Sequence, residues 1–559
     1  MEKRWHIPPR IPLDVDRDLH EFPPFLRQIL YNRGYATLEA AHRFLEAGMP
    51  PGTEPFNLSG IPQAIERIHF AIRRNEPIAV YGDYDADGVT ATALLVQVLK
   101  RLGADAHGYI PNRFDEGYGL NNDALTTLNA QGVSLVITVD CGIRSLSEVE
   151  YAHRLGMDLI ISDHHHPATE IPQALAVINP KLPGDTYPEK DLAGVGLAYK
   201  LACALIGEDA SSKTYELLDL VALGTVTDMA PLIGENRALV RAGLELLRQP
   251  RRQGIQALIG VSGVQSDKID ASHISFMLGP RLNAAGRLDT ALAALKLLMT
   301  SDVAEAGLLA QQLDNYNRER QDLTRHTQTI AEEIALSEGA DTLLLFAAHP
   351  EFNPGVVGLA ASKLCEQYYR PAIIATRGEV YTRASCRSIP EFHITQALDQ
   401  CADLLEHHGG HAAAAGFTAR NENVDTLIER LKLIASQELA HLELRPILHA
   451  DIELPLAELT PDILIYLERL QPTGYGNRPV HFVSRNLKVT RNQPVGRDSA
   501  HLKMSVTDGR ITYEAIAFRQ GHWLGNLPSR VDLLYAFELN EFNGRASLQL
   551  NVRDIKPSS

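Results

Sequence analysis

Ile78-Ala79-Val80-Tyr81-Gly82-Asp83-Tyr84-Asp85-Ala86-Asp87 runs an apolar, strand-forming segment straight into three alternating carboxylates. Two later stretches repeat the pattern. Leu135-Val136-Ile137-Thr138-Val139 ends in Asp140, and Asp158-Leu159-Ile160-Ile161-Ser162 ends in Asp163-His164-His165-His166. In a parallel sheet the carboxyl ends of such strands lie side by side in one crevice. Carboxylates crowded there repel one another unless positive charge sits among them. A pair of divalent metal ions is the simplest source of that charge.

Between these strands the pattern is helical. Gly88 to Gly103 places Ala91, Leu94, Leu95, Val98, Leu99 and Leu102 on one face, which predicts a helix there. Strands are expected at 78–82, 134–139, 158–162 and 174–178, so the alternation is βαβ and the sheet mainly parallel. Residues 1–54 read as a helical lead-in and 55–300 as an α/β domain whose last part, 236–300, is mostly helical. A long helix from Val303 to Leu336 connects onward across 301–340. Its seam of Leu309, Leu313, Tyr316, Leu323, Ile330 and Ile334 is narrow, as in helices that bridge domains. A second α/β domain occupies 341–440, opening at Thr342-Leu343-Leu344-Leu345-Phe346. In 445–559, Leu502, Met504 and Val506 alternate with polar residues, and Asp508-Gly509 and Asn543-Gly544 mark hairpin turns. About five strands there predict a small barrel of the OB type.

Composition narrows the class. Of the 559 residues 45% are hydrophobic and 22% charged, as in a soluble globular protein, and no apolar run approaches the roughly 18 residues that span a bilayer. The five cysteines form no CxxC pair, which argues for a reducing cytoplasm and against structural zinc. The net charge of −16 opposes a nucleic-acid partner unless a local basic groove carries the grip.

Asp83, Asp85 and Asp87 are hard oxygen donors, Asp140 can bridge two ions, and His164 adds an imidazole that favours Mn²⁺ over pure Mg²⁺ or Ca²⁺. Asp228, in Leu223-Gly224-Thr225-Val226-Thr227-Asp228, supplies a later carboxylate. Asp-x-Asp-x-Asp also opens a calcium loop, but Leu94 stands where that loop needs its glutamate, and the segment leaves a strand. A solvated acidic turn explains any one motif and does not explain all of them together. No Ser or Cys triad is visible. His407-His408-Gly409-Gly410-His411 has no nearby cysteine to complete a zinc site; its glycines fit a plain turn or a buried helix start equally well.

These motifs, Asp85-Ala86-Asp87, Asp140, Asp163-His164-His165 and Gly224-Thr225-Val226-Thr227-Asp228, resemble those of the DHH phosphoesterase family, and within it the single-strand-specific DNA exonucleases. Further likenesses follow in order. They are Tyr109-Ile110-Pro111-Asn112-Arg113 with Glu116-Gly117-Tyr118-Gly119-Leu120, Gly279-Pro280-Arg281-Leu282-Asn283-Ala284-Ala285-Gly286-Arg287, Gly409-Gly410-His411 with the alanines after it, and Gln471-Pro472-Thr473-Gly474-Tyr475-Gly476-Asn477. The resemblance implies an α/β fold: a parallel-sheet DHH domain, a long helix, an α/β DHHA1 domain facing the first across a groove, and an OB barrel. It implies two Mn²⁺ or Mg²⁺ ions held by Asp85, Asp87, Asp140 as bridge, His164 and Asp228, with Asp83 as an additional ligand. Asp163 would orient a neighbouring histidine and His165 would touch the scissile phosphate, so Asp140, Asp163, His164 and His165 form the implied catalytic set. Arg113, Arg281, Ser385 and Arg387 would catch a terminal 5′-phosphate, and Asn283 and His411 other phosphates or the rim. Guanidinium forks suit that task.

The implied reaction is 5′→3′ hydrolysis of single-stranded DNA to 5′-mononucleotides, in repair and recombination. Single-strand-binding proteins or helicases are the expected protein partners, with no membrane and a cytoplasmic setting. Two other readings stay open: a phosphodiesterase for short oligoribonucleotides or cyclic dinucleotides, whose members generally lack the barrel, and a catalytically dead DNA-binding scaffold. The chain departs from the family twice. Phe352-Asn353-Pro354-Gly355 lacks the family's histidine, and Ala384-Ser385-Cys386-Arg387-Ser388 has cysteine in place of a glycine. Tyr513, Phe518, Tyr535 and Phe542 are candidate base-stacking residues, some of which alternation must send to the core.

Overall fold

Strand Ile78–Gly82 is buried along its whole length, and so is Leu135–Val139. Continuous burial requires cover on both faces, which is why these runs are apolar throughout and do not alternate. Helices Ala86–Arg101 and Gly194–Ile206 pack on one face, while Leu125, Leu128, Val149 and Ala152 of two further helices close the other. The computed structural model describes every residue except 1, 113–115, 118, 208–209, 338, 340, 543 and 559, and all but the side chains of 211, 542 and 545.

The sheet is wholly parallel, in the order Ala106–Tyr109, Ile78–Gly82, Leu135–Val139, Asp158–Ser162, Ala176–Ile178. The chain moves to one side of Ile78–Gly82 and then crosses to the other. That reversal opens a crevice at the carboxyl ends of Ile78–Gly82 and Leu135–Val139. Gly82 pairs with Val139, and Val139 with Ser162, so Asp83, Asp140 and Asp163 leave the sheet at one level. The first helix starts at Ala86 and not at Gly88. The reason is local: Asp85 is its N-cap and accepts from the backbone of Asp87 at 2.9 Å and Gly88 at 3.1 Å.

By its contacts the chain forms two compact units. One contains residues 5–282, 291–310 and 448–559; the other contains 1–4, 283–290 and 311–447. In the first unit the lead-in helices Leu13–Asp18, Pro24–Asn32 and Leu38–Glu46 serve the barrel. Leu26, Ile29, Leu30, Phe44 and Leu45 share one core with Phe482, Leu487, Leu533 and Val552. Arg237, 1% exposed, fixes the junction. Its guanidinium donates to the carbonyls of Phe44, Arg469, Leu470 and Pro472 at 2.9–3.1 Å and lies 4.2 Å from the Phe44 ring centroid. The barrel strands are Phe482–Val495, His501–Thr507, Thr512–Ala517, Arg545–Pro557 and Arg530–Phe542, and pairing of the last with the first closes it. Leu502, Met504 and Val506 are buried, as their alternation predicts.

The second unit is built on a mixed sheet: His407–His411, Ala414–Arg420, Tyr381–Arg387, Ala372–Arg377, Leu345–His349. Gly409-Gly410-His411 is neither a turn nor a helix start but the end of an exposed edge strand. Helices Val357–Tyr368 and Val424–Leu439 supply Leu364 and Leu431 to the core. The long helix is Val303–Leu336. Its buried stripe is not the expected seam. Ala306, Ala310, Leu313, Asn317, Thr324, Thr327, Ala331 and Ala335 are buried, while Leu309, Tyr316, Leu323, Ile330 and Ile334 are half-buried. Small side chains let neighbours approach closely, and hydropathy alone does not reveal that.

Truncating Arg237 leaves buried carbonyls without donors, so R237A should cost about 3 kcal/mol. Urea unfolding followed by tryptophan fluorescence checks this; an unchanged midpoint would remove Arg237 as the fastener.

Candidate metal centre

Three short loops and one helix end converge. Asp83, Asp85 and Asp87 follow the first strand, Asp140 the second, and Asp163-His164-His165 the third; Asp228 caps the C-terminus of helix Leu218–Thr227. Ligand atoms of Asp83, Asp85 and Asp140 lie within 4.8 Å of one another. The same holds for Asp87, His164 and Asp228, and for Asp140, His164 and His165. Asp140 and His164 each belong to two of these groups. His164 Nε2 stands 3.0 Å from Asp140 Oδ1, 3.8 Å from Asp228 and 3.9 Å from Asp87.

The backbone is shaped for this convergence. Asp140 has φ +62°, a left-handed conformation that a non-glycine residue adopts at a cost of order 1–3 kcal/mol. A Cβ on Gly194 would lie 2.7 Å from Asp140 Cβ, so only glycine fits there. That absence of side chain lets helix Gly194–Ile206 aim its first amides at the site. Gly194 N and Val195 N donate to the two oxygens of Asp87 at 2.7 and 2.8 Å. Asp163 has a different task. Its oxygens accept from Ile143 N at 2.9 Å, His165 N at 3.0 Å and His165 Nδ1 at 2.7 Å. Lys181 Nζ holds the His164 carbonyl at 2.8 Å and Asn179 Nδ2 the His165 carbonyl at 2.9 Å. These supports went unseen in the sequence. The one available signal was the glycine-flanked helix start Ala193-Gly194-Val195-Gly196.

Electrostatics follow from burial. Burial first, and the Asp85 charge second, lift Asp87 to about 7. Burial and then Asp87 and Asp85 lift Asp228 to about 9, and Asp140 is raised well above the carboxylate range for the same reasons. Burial, and then His165, depress His164 to about 3, which keeps the imidazole neutral. Its short approach to Asp140 is therefore not an ion pair. Asp140 Oδ1 and His164 Nε2 are both buried without hydrogen-bond partners. Such atoms, together with a neutral imidazole among five carboxylates, suit divalent cations. His165 goes the other way: burial opposes its charge, but the hydrogen bond and charge of Asp163 overcome that and raise its pKa. Asp163 is lowered: burial is outweighed by the bonds from His165 and Ile143. With its side chain 42% exposed, His165 can present a proton outward.

The substrate-side residues divide. Arg281 and Asn283 are half-buried on helix Gly279–Leu288. Arg281 Nη1 donates to the Met277 carbonyl at 2.6 Å. Gly279 packs on Thr227, next to Asp228, so this helix begins at the metal site. Arg113 lies outside the described residues. In the other unit, Ser385 and Arg387 share one face of strand Tyr381–Arg387. A Cβ on Gly358, in the first turn of helix Val357–Tyr368, would lie 3.2 Å from Arg387 Nη2 and 3.4 Å from Ser385 Oγ. A helix N-terminus, a hydroxyl and a guanidinium thus adjoin, a combination suited to a phosphate. Cys386 points to the opposite face, into the core, and pairs with Ile373 and Ala415 in an unbroken strand, so replacing glycine leaves the backbone extended. Asn353 takes over the entry to that helix, accepting from Gly355 N through Oδ1 at 2.8 Å. His411 is exposed at its strand end. Of the stacking candidates, Tyr513 and Tyr535 are core residues whose hydroxyls meet Leu459 O and Ser484. Phe518 is 51% exposed, and the Phe542 side chain is not described.

Comparison with known proteins gives a match for each of three parts of the chain. The DHH family N-terminal domain matches residues 77–225, the DHHA1 domain 341–437 and the RecJ OB domain 450–554. The single-stranded-DNA-specific exonuclease RecJ of Bacillus subtilis is 39% identical over 99% of this chain and 71% of its own length. That of Escherichia coli is 36% identical over 96% of each. The crystal structure of RecJ in complex with Mn²⁺ from Thermus thermophilus superposes with a TM-score of 0.85 at 29% identity, covering 100% of this chain and 80% of that one; the Mg²⁺ complex gives 0.79.

The raised carboxyl groups make a pH prediction. A group whose pKa is higher in the fold than the unfolded value of about 3.9 stabilises fully below that value. The contribution is lost as pH rises through about 7 for Asp87 and about 9 for Asp228. In EDTA, the melting midpoint should fall between pH 6 and pH 9. Mn²⁺ should raise it more at pH 9, and Asp228→Asn should flatten the EDTA curve. Scanning fluorimetry measures all three; a flat wild-type curve in EDTA would contradict the crowding.

Proposed function

Because the chain belongs to the RecJ family of single-stranded-DNA-specific exonucleases, we propose that it degrades single-stranded DNA from the 5′ end to 5′-mononucleotides, with two divalent cations as cofactor. The carrying observation is the convergence of Asp83, Asp85, Asp87, Asp140, His164 and Asp228 on one crevice, with Asp140 common to two of the three donor groups. When bound, Mn²⁺ or Mg²⁺ would activate water near neutral pH and neutralise the phosphate oxygens. Asp85, Asp87, Asp140, His164 and Asp228 would hold the ions, with Asp83 as an additional ligand.

The remaining steps belong to the chain's own side chains. Asp163 fixes the ring of His165 through Nδ1 and raises its pKa, so that in the protonated form Nε2 would donate to a non-bridging oxygen of the scissile phosphate. Glycine 194 and Val195 amides keep Asp87 in one rotamer. Arg281 would steady the next phosphate. Ser385, Arg387 and the amides that begin helix Val357–Tyr368 would bind the terminal 5′-phosphate, with Asn283 and His411 as candidates for other phosphates. A 5′-end pocket gives polarity, because only a chain end can enter it.

The barrel at 450–554 supports single strands over cyclic dinucleotides, which have no use for it. The intact donor set opposes a dead scaffold. Single-strand-binding proteins or helicases are the partners that such a reaction calls for, since they cover or supply single strands. A DNA substrate and five unpaired cysteines support a cytoplasmic setting.

Release of mononucleotides from 5′-labelled and 3′-labelled single strands in Mn²⁺ tests the reading, with RNA beside DNA. Asp140→Ala should lower the rate by 10³-fold or more while leaving the circular dichroism spectrum unchanged; activity near wild type would sink the bridging role. Arg387→Ala should erase the preference for a 5′-phosphate over a 5′-hydroxyl end, and a retained preference would reassign the pocket.

A further inference from the structure

Strand Ala176–Ile178 is an edge of the parallel sheet, and it ends in no carboxylate. Ser162 pairs with Ile178, and Asp163 N donates to the Ile178 carbonyl at 3.1 Å. Asn179-Pro180-Lys181 therefore leaves the sheet beside Asp163-His164-His165. Proline keeps the residue before it out of the helical region and offers no backbone N–H. Asn179, fully buried, folds its side chain over this turn. Its Oδ1 accepts from Lys181 N at 2.8 Å, and its Nδ2 donates to the His165 carbonyl at 2.9 Å. Lys181, with its side chain 15% exposed, gives Nζ to the His164 carbonyl at 2.8 Å. Residues 163–166 form neither helix nor strand, so these carbonyls have no ladder to join, and two side chains take its place.

A closed loop holds the lysine. Lys190 Nζ donates to the Pro180 carbonyl at 2.7 Å, and Asp191 Oδ1 lies 3.6 Å from Lys181 Nζ. The Asp191 carbonyl accepts from Asn236 Nδ2 at 2.6 Å, and the buried Tyr187 donates its hydroxyl to Glu235 at 2.6 Å. Glu235 and Asn236 lie in the first turn of helix Gly234–Arg248, the next helix after Asp228. Lys200 pairs with Glu235 from helix Gly194–Ile206, whose first amides hold Asp87. One loop thus joins the His164 backbone to the helix that follows Asp228 and to the helix that holds Asp87.

The two histidines are aimed by different means. The His165 ring is fixed through Nδ1 by Asp163. Among the described residues none hydrogen-bonds the His164 ring, whose Nε2 is buried. Its aim rests on packing and on its backbone, and Lys181 grips that backbone. The charge of Lys181 works in the opposite sense. Burial and the charges of Asp87 and Asp85 raise the pKa of Asp228, and Lys181 opposes them. A cation so placed repels a metal ion. What Lys181 gives the centre therefore comes from its bond and not from its charge.

We propose that Lys181 is a positioning residue of the metal centre: its bond to the His164 carbonyl fixes the angle at which the imidazole enters the crevice, and so sets the affinity for divalent cations. The proposal rests on the metal-dependent reading of that crevice. Groups that orient a metal ligand are worth about 10–100-fold in affinity.

The test is calorimetric titration of Mn²⁺ into the metal-free full chain, with circular dichroism to check folding. Lys181→Met should weaken Mn²⁺ binding about tenfold or more, with little change in the melting midpoint in EDTA. Lys181→Arg, which keeps a donor and the charge, should recover most of the loss; equal weakening in both variants would overturn the donor role. Tighter binding by Lys181→Met would overturn the proposal in favour of charge alone. Unchanged binding with a lower melting midpoint would overturn it in favour of a part in folding only. Lys190 Nζ is engaged by the carbonyls of Pro180 and Asp185 and lies 3.6 Å from the Asp185 carboxylate, so its removal acts through the loop. Lys190→Met should weaken Mn²⁺ in the same direction and by less. If Lys181→Met does not fold, this variant decides, and unchanged binding overturns the proposal. A wild type that takes up no Mn²⁺ would remove the metal-dependent reading, and the proposal with it.

Discussion

Five carboxylates forced into one crevice repel each other, and everything near them is arranged to hold that repulsion in place. The parallel sheet delivers Asp83, Asp140 and Asp163 at one level because Gly82, Val139 and Ser162 are in register. Burial then removes the water that would otherwise screen them. The protein answers with amides at Asp87, a left-handed backbone at Asp140 and a neutral imidazole at His164. None of these supplies net positive charge. The remaining imbalance is what makes the crevice a cation site and not merely an acidic one.

The histidines show how neighbours in sequence acquire opposite properties. His164 is buried among carboxyl groups that are themselves raised, so it stays neutral and offers a lone pair. His165 is held by Asp163, whose hydrogen bond and charge raise its pKa. One residue of chain separates an imidazole whose pKa is lowered from one whose pKa is raised, and the hydrogen bond to Asp163 belongs to the second. Its buried carboxylate is spent on positioning, with bonds from Ile143 N and His165 leaving it little capacity for an ion.

The meeting of Asp83, Asp85, Asp140 and His164 was legible because strand ends announce themselves: an apolar run that stops at a charge has few other uses. Ser385 and Arg387 became candidates only through family likeness, since they alternate on an ordinary strand and carry no local signature. The helix start at Ala86 was misread by two residues because Asp85 was counted as a ligand and not also as a cap. The long helix shows a deeper limit. Apart from Leu313 and Asp314 its buried stripe is alanine, threonine and asparagine, and hydropathy ranks leucine above them. Burial of Tyr513 and Tyr535 depends on which barrel face closes inward, and period-two alternation leaves that choice of face undetermined. The amides of Gly194 and Val195 carry no side-chain message at all.

The shared core of the lead-in helices and the barrel has a consequence for synthesis. Leu26, Ile29, Phe44 and Leu45 bury their side chains against residues more than 400 positions later. At ribosomal speeds of about 5–20 residues per second, that interval is on the order of a minute. For that time the first helices emerge with their apolar stripes facing solvent, while the parallel sheet between them can already form. Assembly at this point is thus non-local: these helices can complete their core only once the barrel strands have been made.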